Sequence, residues 1–291
     1  MADGIVLIDK PEGFTSFDAV AVMRGALHTK KIGHTGTLDP MATGVLPLLV
    51  GKATKLCDIM PVKDKRYVAE IKFGMTTDTL DVTGKLKKAV ECDVSEREFC
   101  EILPEFTGEI MQVPPMFSAI SKNGVRLYEL ARQGIEIERE ARPVTVYSLK
   151  NLGKTEKNSF ALEIYCSSGT YIRTLADDMG RRLGVGGCMK SLRRTSACGY
   201  SIDRCIPLEK ARNMTPEQLI LPIETAVESF PRVKVSAAQA KRFSNGGQLS
   251  LDRLKLPKNP EGIFAVTDGE KTVGLGEVCA EKGLLNIKCL F

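Results

Sequence analysis

The sequence predicts an α+β fold, with a large mixed domain followed by a small β-rich module. Three observations predict it. Residues Arg66 to Gly74 alternate between apolar and polar side chains, as a half-buried strand does. A helical apolar pattern follows Thr15 and Asp18, which have the spacing of a capping box. The last sixty residues contain short apolar runs separated by turns, which is typical of a small β-rich, barrel-like unit.

The first half of the chain contains these elements in order. A strand and a turn precede the first helix, whose inward stripe is predicted to contain Phe17, Val20, Met23 and Leu27. A long loop punctuated by glycines and a short apolar run follow the helix. A second capping box predicts another helix, and Asn123-Gly124 predicts a tight turn. The predicted bounds are Gly4 to Ile8 for the strand, Lys10 to Gly13 for the turn, Gly33 to Gly44 for the loop, Val45 to Val50 for the apolar run, and Ser95 with Glu98 for the second capping box.

The second half continues with alternating strand and helix patterns. Gly134 and Gly184 are each placed to stop a helix, and a stretch that contains several prolines is interpreted as a linker. The predicted elements are a helix from Leu127 to Gln133, a strand from Phe160 to Ile164, a helix from about Gly169 to Leu183, a strand from Leu192 to Tyr200, the linker from Pro207 to Pro231, a helix from Ser236 to Phe243, and strands over 263–266, 272–278 and 284–290.

Composition limits the classes of function. The 291 residues are 43% hydrophobic and 26% charged, which argues against a disordered, collagenous or coiled-coil chain. The longest apolar run, Val45 to Val50, is too short for a membrane span. The segment from Met1 to Lys10 contains two aspartates, and its apolar run is too short for a signal peptide. The net charge of +5 permits a nucleic-acid partner without requiring one.

Cysteine and histidine usage argues against a metal centre and against disulfides. The nine cysteines contain no C-x-x-C pair, so we expect reduced thiols in a cytoplasmic protein. The only histidines are His28 and His34, which excludes a histidine-rich zinc site.

Two charged residues stand out from their surroundings. Asp39 precedes a proline on the glycine-bounded loop, which favours an extended backbone that can present the carboxylate to a cleft, although Asp-Pro is also a common turn dipeptide. Arg173 lies in the first turn of a predicted helix, where a cation opposes the helix dipole at a cost of roughly 0.3–1 kcal/mol. Either an anion lies close to Arg173 or the side chain is solvated.

Other candidates have an equally ordinary interpretation. Tyr67 and Tyr171 are either core tyrosines or rings that stack on a base. His34 is either a general base or a hydrogen-bonded loop residue. Leu192 is typical of any core, and pairs of basic residues such as Lys241-Arg242 suit either a solvated face or contacts with phosphates.

Seven motifs, in order over about residues 4 to 225, together resemble the TruB family of tRNA pseudouridine synthases. The segment from Gly33 to Leu46 resembles the catalytic loop of that family. The remaining motifs are Lys10-Pro11-x-Gly13-x-Thr15-Ser16, Lys65-Arg66-Tyr67, Thr77-Asp78-Thr79-x-Asp81-x-x-Gly84, Pro114-Pro115-x-x-Ser118-Ala119, Ser168-Gly169-Thr170-Tyr171-Ile172-Arg173 and Leu192-Arg193-Arg194-Thr195.

The resemblance implies isomerisation of uridine to pseudouridine at position 55 in the T-arm of tRNA, without a metal or an organic cofactor. By this resemblance Asp39 is the nucleophile, Arg173 orients it, and Tyr67 stacks on the flipped base. The same likeness implies supporting roles for four further residues: Tyr171 helps to bind the base, His34 helps to displace it, Leu192 lines the pocket, and Lys10 supports the site. An arginine that keeps the pKa of Asp39 low would help attack, because only the ionised form is nucleophilic.

The resemblance also implies a domain plan and a set of partners. A pseudouridine-synthase-like domain with a mixed sheet is expected over residues 1–228, and a PUA-like RNA-binding domain over 229–291. The expected partner is the tRNA T-arm, with no membrane, no obligate protein partner and a monomeric state. The alternatives are an RNA-guided pseudouridine synthase subunit, a non-catalytic RNA-binding or tRNA-folding module and a glycoside hydrolase, which needs a second carboxylate such as Asp78 or Asp81.

Overall fold

A computed structural model describes residues 3–122 and 124–291. Within them the chain forms twenty strands and eight α-helices. The strands are β1 (Gly4–Lys10), β2 (Ile32–His34), β3 (Thr43–Val50), β4 (Lys65–Phe73), β5 (Met75–Thr77), β6 (Leu86–Ala89), β7 (Gly108–Gln112), β8 (Ser121–Lys122), β9 (Val125–Arg126), β10 (Arg142–Glu156), β11 (Ser159–Cys166), β12 (Gly187–Ala197), β13 (Tyr200–Ser201), β14 (Ile206–Pro207), β15 (Leu221–Pro222), β16 (Arg232–Lys234), β17 (Leu249–Ser250), β18 (Ile263–Thr267), β19 (Thr272–Cys279) and β20 (Leu284–Leu290). The helices are α1 (Ser16–Ala26), α2 (Glu96–Ile102), α3 (Leu127–Arg132), α4 (Ile172–Arg182), α5 (Leu208–Ala211), α6 (Pro216–Leu219), α7 (Ile223–Ala226) and α8 (Ala237–Ser244).

A mixed sheet organises the larger part of the chain. Its strands follow the order β14-β1-β3-β12-β4-β11-β10-β7. Strands β1 and β14, and β3 and β12, are parallel, whereas the other neighbours along this path are antiparallel. This confirms the predicted α+β class with a mixed sheet.

Alternating side chains of β1 pack on opposite faces of the sheet, as the period of a strand requires. Val6 and Ile8 pack with α1 and α5 on one face. Ile5 and Leu7 pack on the other face against a cluster that includes Leu275 of the C-terminal sheet. That sheet has five strands in the order β16-β18-β19-β20-β17. The β-rich end of the chain is therefore confirmed, and its core is continuous with that of the large sheet.

The predicted capping boxes are confirmed. Thr15 caps α1 and Ser95 caps α2, each through a hydrogen bond with the residue three positions later. Gly134 and Gly184 have positive φ angles directly after their helices, which only glycine adopts without strain. Gly124 also has a positive φ angle, while Asn123, the other half of that predicted turn, lies outside the described residues.

Two predictions were wrong. Phe17 was expected on the inward stripe of α1 but is 64% exposed, because the buried face begins at Ser16, and the guanidinium of Arg24 lies over the Phe17 ring. The stretch from Pro207 to Pro231 is not a linker. It folds into α5, α6 and α7, whose apolar side chains are buried. Three of its prolines, Pro207, Pro216 and Pro222, stand at the starts of these short helices, where proline is tolerated because no amide hydrogen bond is lost there.

No helix in the described part of the chain is long and apolar enough to cross a membrane. All nine cysteines are free thiols.

Candidate active site

Asp39 lies on the loop between β2 and β3, and this loop is tied to the start of α1. The Leu38 amide donates to Oγ of Ser16 at 2.8 Å, and the Gly13 amide donates to the Pro40 carbonyl at 2.8 Å. These bonds fix the backbone on both sides of Asp39. The first residue of α1 and the turn before this helix therefore position the carboxylate.

Arg194 holds the same loop from beneath. Its guanidinium donates to the carbonyl oxygens of Gly36 at 3.1 Å, Thr37 at 3.3 Å and Val45 at 2.7 Å, and the side chain is fully buried. Arg194 comes so close because Gly44 has no side chain. Gly44 has a φ of +105°, and a Cβ atom there would lie 2.1 Å from the Arg194 carbonyl oxygen.

Arg173 pairs with Asp39 through both carboxylate oxygens. Its Nε lies 2.9 Å from Oδ2, and its Nη2 donates to Oδ1 at 3.1 Å. The guanidinium also donates to the carbonyl oxygens of Thr79 at 3.0 Å and Phe117 at 2.7 Å. Asp39 is therefore the anion that offsets the unfavourable position of Arg173 in the first turn of α4. The two parallel contacts from the guanidinium orient its carboxylate.

The pKa of Asp39 is raised rather than lowered. Burial is the main cause, and the nearby Asp81 carboxylate adds to it, while the guanidinium of Arg173 opposes both. Arg173 does lower the pKa of Asp39, as expected, but its effect is smaller than that of burial. The expectation of a low pKa for Asp39 was therefore wrong. The Asp39 side chain remains 35% exposed, so solvent moderates the shift.

Asp81 is a buried second carboxylate beside Arg173. Its Oδ2 lies 4.0 Å from the Nε of Arg173, and its side chain is 6% exposed. The other oxygen, Oδ1, accepts from the Thr79 hydroxyl at 2.9 Å and from the amide and hydroxyl of Thr83 at 3.0 and 2.6 Å. These bonds fix the turn whose Thr79 carbonyl holds Arg173.

Lys10 lies fully buried beside the loop. Its Nζ donates to the carbonyl oxygens of Pro11 at 2.7 Å and Phe14 at 2.6 Å, and it lies 3.4 Å from that of Pro40. Burial and the charge of Arg194 lower its pKa to about 8, against a smaller opposing effect of Asp39. The residue ties the turn before α1 to the loop.

Tyr67 and Leu192 form an apolar wall next to the loop. Both are buried, in the same cluster as Leu38 and Ala42 on either side of Asp39. Burial raises the pKa of Tyr67 to about 12, so its hydroxyl keeps its proton at neutral pH. A neutral phenol ring of this kind suits stacking on a flat, neutral base.

Tyr171 and His34 occupy the edges of the site. Tyr171 is the N-cap residue of α4, where Gln112 holds its backbone amide at 2.8 Å and its carbonyl at 3.1 Å. His34 ends β2, and burial lowers its pKa. Its Nδ1 is buried without a hydrogen-bond partner among the described residues, so the structure does not join it to Asp39 or Arg173.

Sequence reasoning assigned no role in the site to Arg194 or Gln112, and it named Asp81 only as one of two possible second carboxylates of a glycoside hydrolase. A signal for Arg194 existed, because residues two apart on a strand share a face and Leu192 was already placed in the pocket. Asp78 and Asp81 belong to the same motif, and nothing in the sequence indicates which of the two carboxylates lies in the site. Gln112 acts only through the backbone of Tyr171, 59 residues away, which no local pattern reveals.

The assembled groups provide one accessible carboxylate, held by a guanidinium and flanked by an aromatic and an aliphatic side chain. No group of three potential metal ligands occurs in residues 3–122 and 124–291. Such a site can receive a flat ring in an apolar slot and bring a carboxylate oxygen to an electrophilic carbon beside it.

Two comparisons of the sequence with known families and proteins agree. Residues 24–172 match the TruB family pseudouridylate synthase N-terminal domain, and residues 173–228 match the tRNA pseudouridylate synthase B C-terminal domain. Proteins named tRNA pseudouridine synthase B from Clostridium kluyveri and Aromatoleum aromaticum are 42% and 41% identical to the chain. The match covers 94% of this chain and 95% of the first, and 100% of this chain and 93% of the second.

A solved structure gives the same answer for the fold. It is described as an H/ACA RNP bound to a substrate RNA containing 2′-deoxyuridine, and the matched chain is 26% identical. The match covers 99% of this chain and 84% of that chain, with a TM-score of 0.74.

Proposed function

Because the chain belongs to the TruB family of pseudouridylate synthases, we propose that it isomerises uridine to pseudouridine at position 55 in the T-arm of tRNA. The contact of Arg173 with both carboxylate oxygens of Asp39, beside the wall formed by Tyr67, is the observation that carries this proposal. An oriented carboxylate beside an aromatic wall supports the proposal that a flipped base is received there.

In the proposed reaction the target base first leaves the stack of the T-loop, at a cost of a few kcal/mol. Stacking on Tyr67 recovers roughly 1–3 kcal/mol. Asp39 then acts as the nucleophile and its carboxylate forms a transient bond to the nucleotide, at C1′ of the ribose or at C6 of the base. The bond from C1′ to N1 breaks, the uracil rotates, a bond from C1′ to C5 forms, and the bond to Asp39 breaks so that the carboxylate is regenerated. The proton at C5 is released and N1 gains one, so the product is an isomer of the substrate.

The other site residues have supporting roles in this proposal. Arg173 orients the carboxylate and offsets its charge, while Leu192 and Tyr171 line the slot that holds the base. His34 displaces the base from the loop stack, and Lys10 supports the loop that carries Asp39. The apolar wall excludes water, which would otherwise hydrolyse the nucleotide.

The proposal extends to the organisation and partners of the protein. Residues 1–228 form the catalytic part, and residues 229–291, with the five-stranded sheet, form a PUA-like part that contacts tRNA. The protein works in the cytoplasm as a monomer, with no metal, no cofactor and no obligate protein partner.

The alternative functions are less well supported. The relatives at 41–42% identity are named for tRNA, whereas the chain from the H/ACA particle is 26% identical, which favours tRNA over a guide RNA. An oriented Asp39–Arg173 pair argues against a purely non-catalytic module. A glycoside hydrolase would need Asp78 or Asp81 as its second carboxylate, but Oδ1 of each already accepts a backbone amide of the same turn, from Lys85 and Thr83 respectively.

The direct test is incubation of the purified protein with an unmodified T-arm stem–loop, followed by nucleoside analysis. We expect pseudouridine in the intact substrate and none when cytidine replaces the target uridine. Absence of product from the intact stem–loop, or persistence of product in the cytidine control, would contradict the proposal.

A further inference from the structure

The catalytic loop lies close to several cations. They are Lys10, Lys65, Arg173 and Arg194, of which Arg173 is paired with Asp39 and approached by Asp81. Arg194 is fully buried and its guanidinium donates to three carbonyl oxygens, and neither it nor Lys65 forms a salt bridge within the described chain. Buried or half-buried cations are normally paired, so the unpaired charge of Lys65 points to an anion that arrives with the substrate.

Lys65 is the cation in this group that a ligand can reach. Its side chain is half-buried, and its Cε lies 3.5 Å from the position that a Cβ atom on Gly36 would occupy. Its Nζ donates to the Lys63 carbonyl at 2.9 Å, which leaves further N–H groups for a ligand. Burial and the charge of Arg194 lower the pKa of Lys65. An incoming negative charge would relieve that cost.

A cavity of about 170 Å³ opens beside Lys65. Its lining residues include Thr35, Ser168 and Lys63, together with a single acidic residue, Asp58. The Thr35 hydroxyl accepts from Sγ of Cys198 at 3.2 Å, so its own hydrogen is free to be donated. A lysine and two hydroxyl-bearing residues thus line one cavity, and ammonium and hydroxyl groups bind phosphate oxygens.

The position of the cavity relative to the base slot fits one nucleotide. Lys65 and Tyr67 are two residues apart on β4, so they lie on the same face about 7 Å apart along the strand. A base stacked on Tyr67 would thus place a phosphate attached to its own ribose close to Lys65. Thr35, four residues before Asp39, lies on the same loop as the nucleophile.

We propose that Lys65, with the hydroxyls of Thr35 and Ser168, forms a subsite for one of the two backbone phosphates that flank the target uridine. Arg194 and Lys10 add to its positive potential from beneath. The subsite rests on the proposed function, because it assumes an RNA substrate whose base occupies the Tyr67 slot. Lys65 is a binding residue here and takes no part in bond making.

The test uses single-turnover kinetics with T-arm stem–loops that contain one methylphosphonate, either 5′ or 3′ of the target uridine. A methylphosphonate keeps the shape of the linkage but removes its negative charge. For the wild-type protein, we expect one of the two substitutions to lower the ratio of the single-turnover rate to the half-saturating enzyme concentration by about tenfold to a hundredfold. The loss should come mainly from a higher half-saturating concentration, as for a lost hydrogen bond to a charged group. This measurement needs no protein variant.

On the natural stem–loop, Lys65→Met should lose activity by a factor similar to the one that the sensitive methylphosphonate costs the wild type. On that methylphosphonate, Lys65→Met should be as active as the wild type. Lys65→Arg should recover much of the activity on the natural stem–loop. Lys157→Met is the matched control, because Lys157 is an exposed lysine in the turn between β10 and β11, at the opposite end of β4. We expect this control to behave like wild type on every substrate. Thermal melting checks that each variant folds.

The outcomes separate the subsite from the function. Wild-type protein that modifies all three stem–loops equally would overturn the subsite and leave the function intact. The subsite would also be overturned if Lys65→Met were less active than the wild type by the same factor on both methylphosphonates and on the natural RNA. Wild-type protein that modifies none of the stem–loops would instead contradict the proposed function.

Discussion

Replacing Arg173 tests how Asp39 is held. Lysine keeps the positive charge but cannot reach both carboxylate oxygens at once, so Arg173→Lys loses one of the two contacts at 2.9 and 3.1 Å. A hydrogen bond between charged groups contributes about 1.5–3 kcal/mol. Because Asp39 is 35% exposed, the lower part of that range applies, and a tenfold change corresponds to about 1.4 kcal/mol. We expect the single-turnover rate to fall roughly tenfold in Arg173→Lys.

Arg173→Met removes both contacts and leaves the carbonyl oxygens of Thr79 and Phe117 without their donor. The expected loss of rate is about a hundredfold to a thousandfold, together with a lower free energy of unfolding. The pH profile gives a second readout that a purely structural role would not move. Since the guanidinium lowers the pKa of Asp39, its removal should shift the acid limb of the rate to higher pH.

The assay is single-turnover formation of pseudouridine on the T-arm stem–loop at saturating enzyme, with RNA affinity measured in parallel. Thermal unfolding of each variant separates loss of fold from loss of chemistry. A rate for Arg173→Lys equal to that of the wild type, or an unmoved acid limb in Arg173→Met, would refute the orienting role.

Three further predictions concern the loop, the pH profile and RNA binding. Gly44→Ala should lower the free energy of unfolding by at least about 1–3 kcal/mol, measured by chemical unfolding, because Gly44 has a φ of +105° and the new Cβ would clash with the Arg194 carbonyl oxygen. Gly25→Ala is the control and should be neutral or stabilising, because the space around the new methyl group is open. The activity of the wild type should fall as the pH falls through the raised pKa of Asp39, so the midpoint of the acid limb should lie above the usual aspartate pKa of about 3.9. A midpoint at or below that pKa would contradict the effect of burial on the carboxylate. Lys241→Glu on the exposed surface of α8 should weaken tRNA binding while the single-turnover rate at saturation stays unchanged, and unaltered affinity in a filter-binding titration would argue against an RNA-contacting C-terminal part.

Charge reversal is a better test of the C-terminal part than deletion. Ala265, Leu275 and Cys289 of that part belong to the same buried cluster as Ile5 and Leu7 of β1. Removing the C-terminal sheet would expose the core of the large sheet. Loss of RNA binding in such a truncation would then be difficult to separate from loss of fold.

The sequence predicted those parts of the fold that depend on local signals. The capping boxes of α1 and α2 and the alternation in β4 depend on neighbouring residues, and each is confirmed. Strands β7 and β10 were not predicted, and β10 runs over 15 residues with most side chains exposed or half-buried, so no apolar period marks it. The prolines between Pro207 and Pro231 were misinterpreted because a proline at the start of a helix and a proline in a linker look alike in sequence.

The same distinction applies to the site. The misplaced cation at Arg173 was visible locally, and it predicted a nearby anion. Which anion satisfied it depended on contacts across 134 residues, and the resemblance rather than the pattern indicated Asp39. The anchoring of the loop by Arg194 required Gly44 and β12 to be adjacent, which only the parallel pairing of β3 and β12 brings about.

Substitution of the carboxylate itself tests the central claim most directly. Asp39→Asn keeps the size of the side chain but removes the charged nucleophile, so the variant should bind the unmodified stem–loop with affinity close to that of the wild type and form no detectable pseudouridine. Turnover by this variant at a rate like that of the wild type would contradict the assignment of Asp39 as the nucleophile.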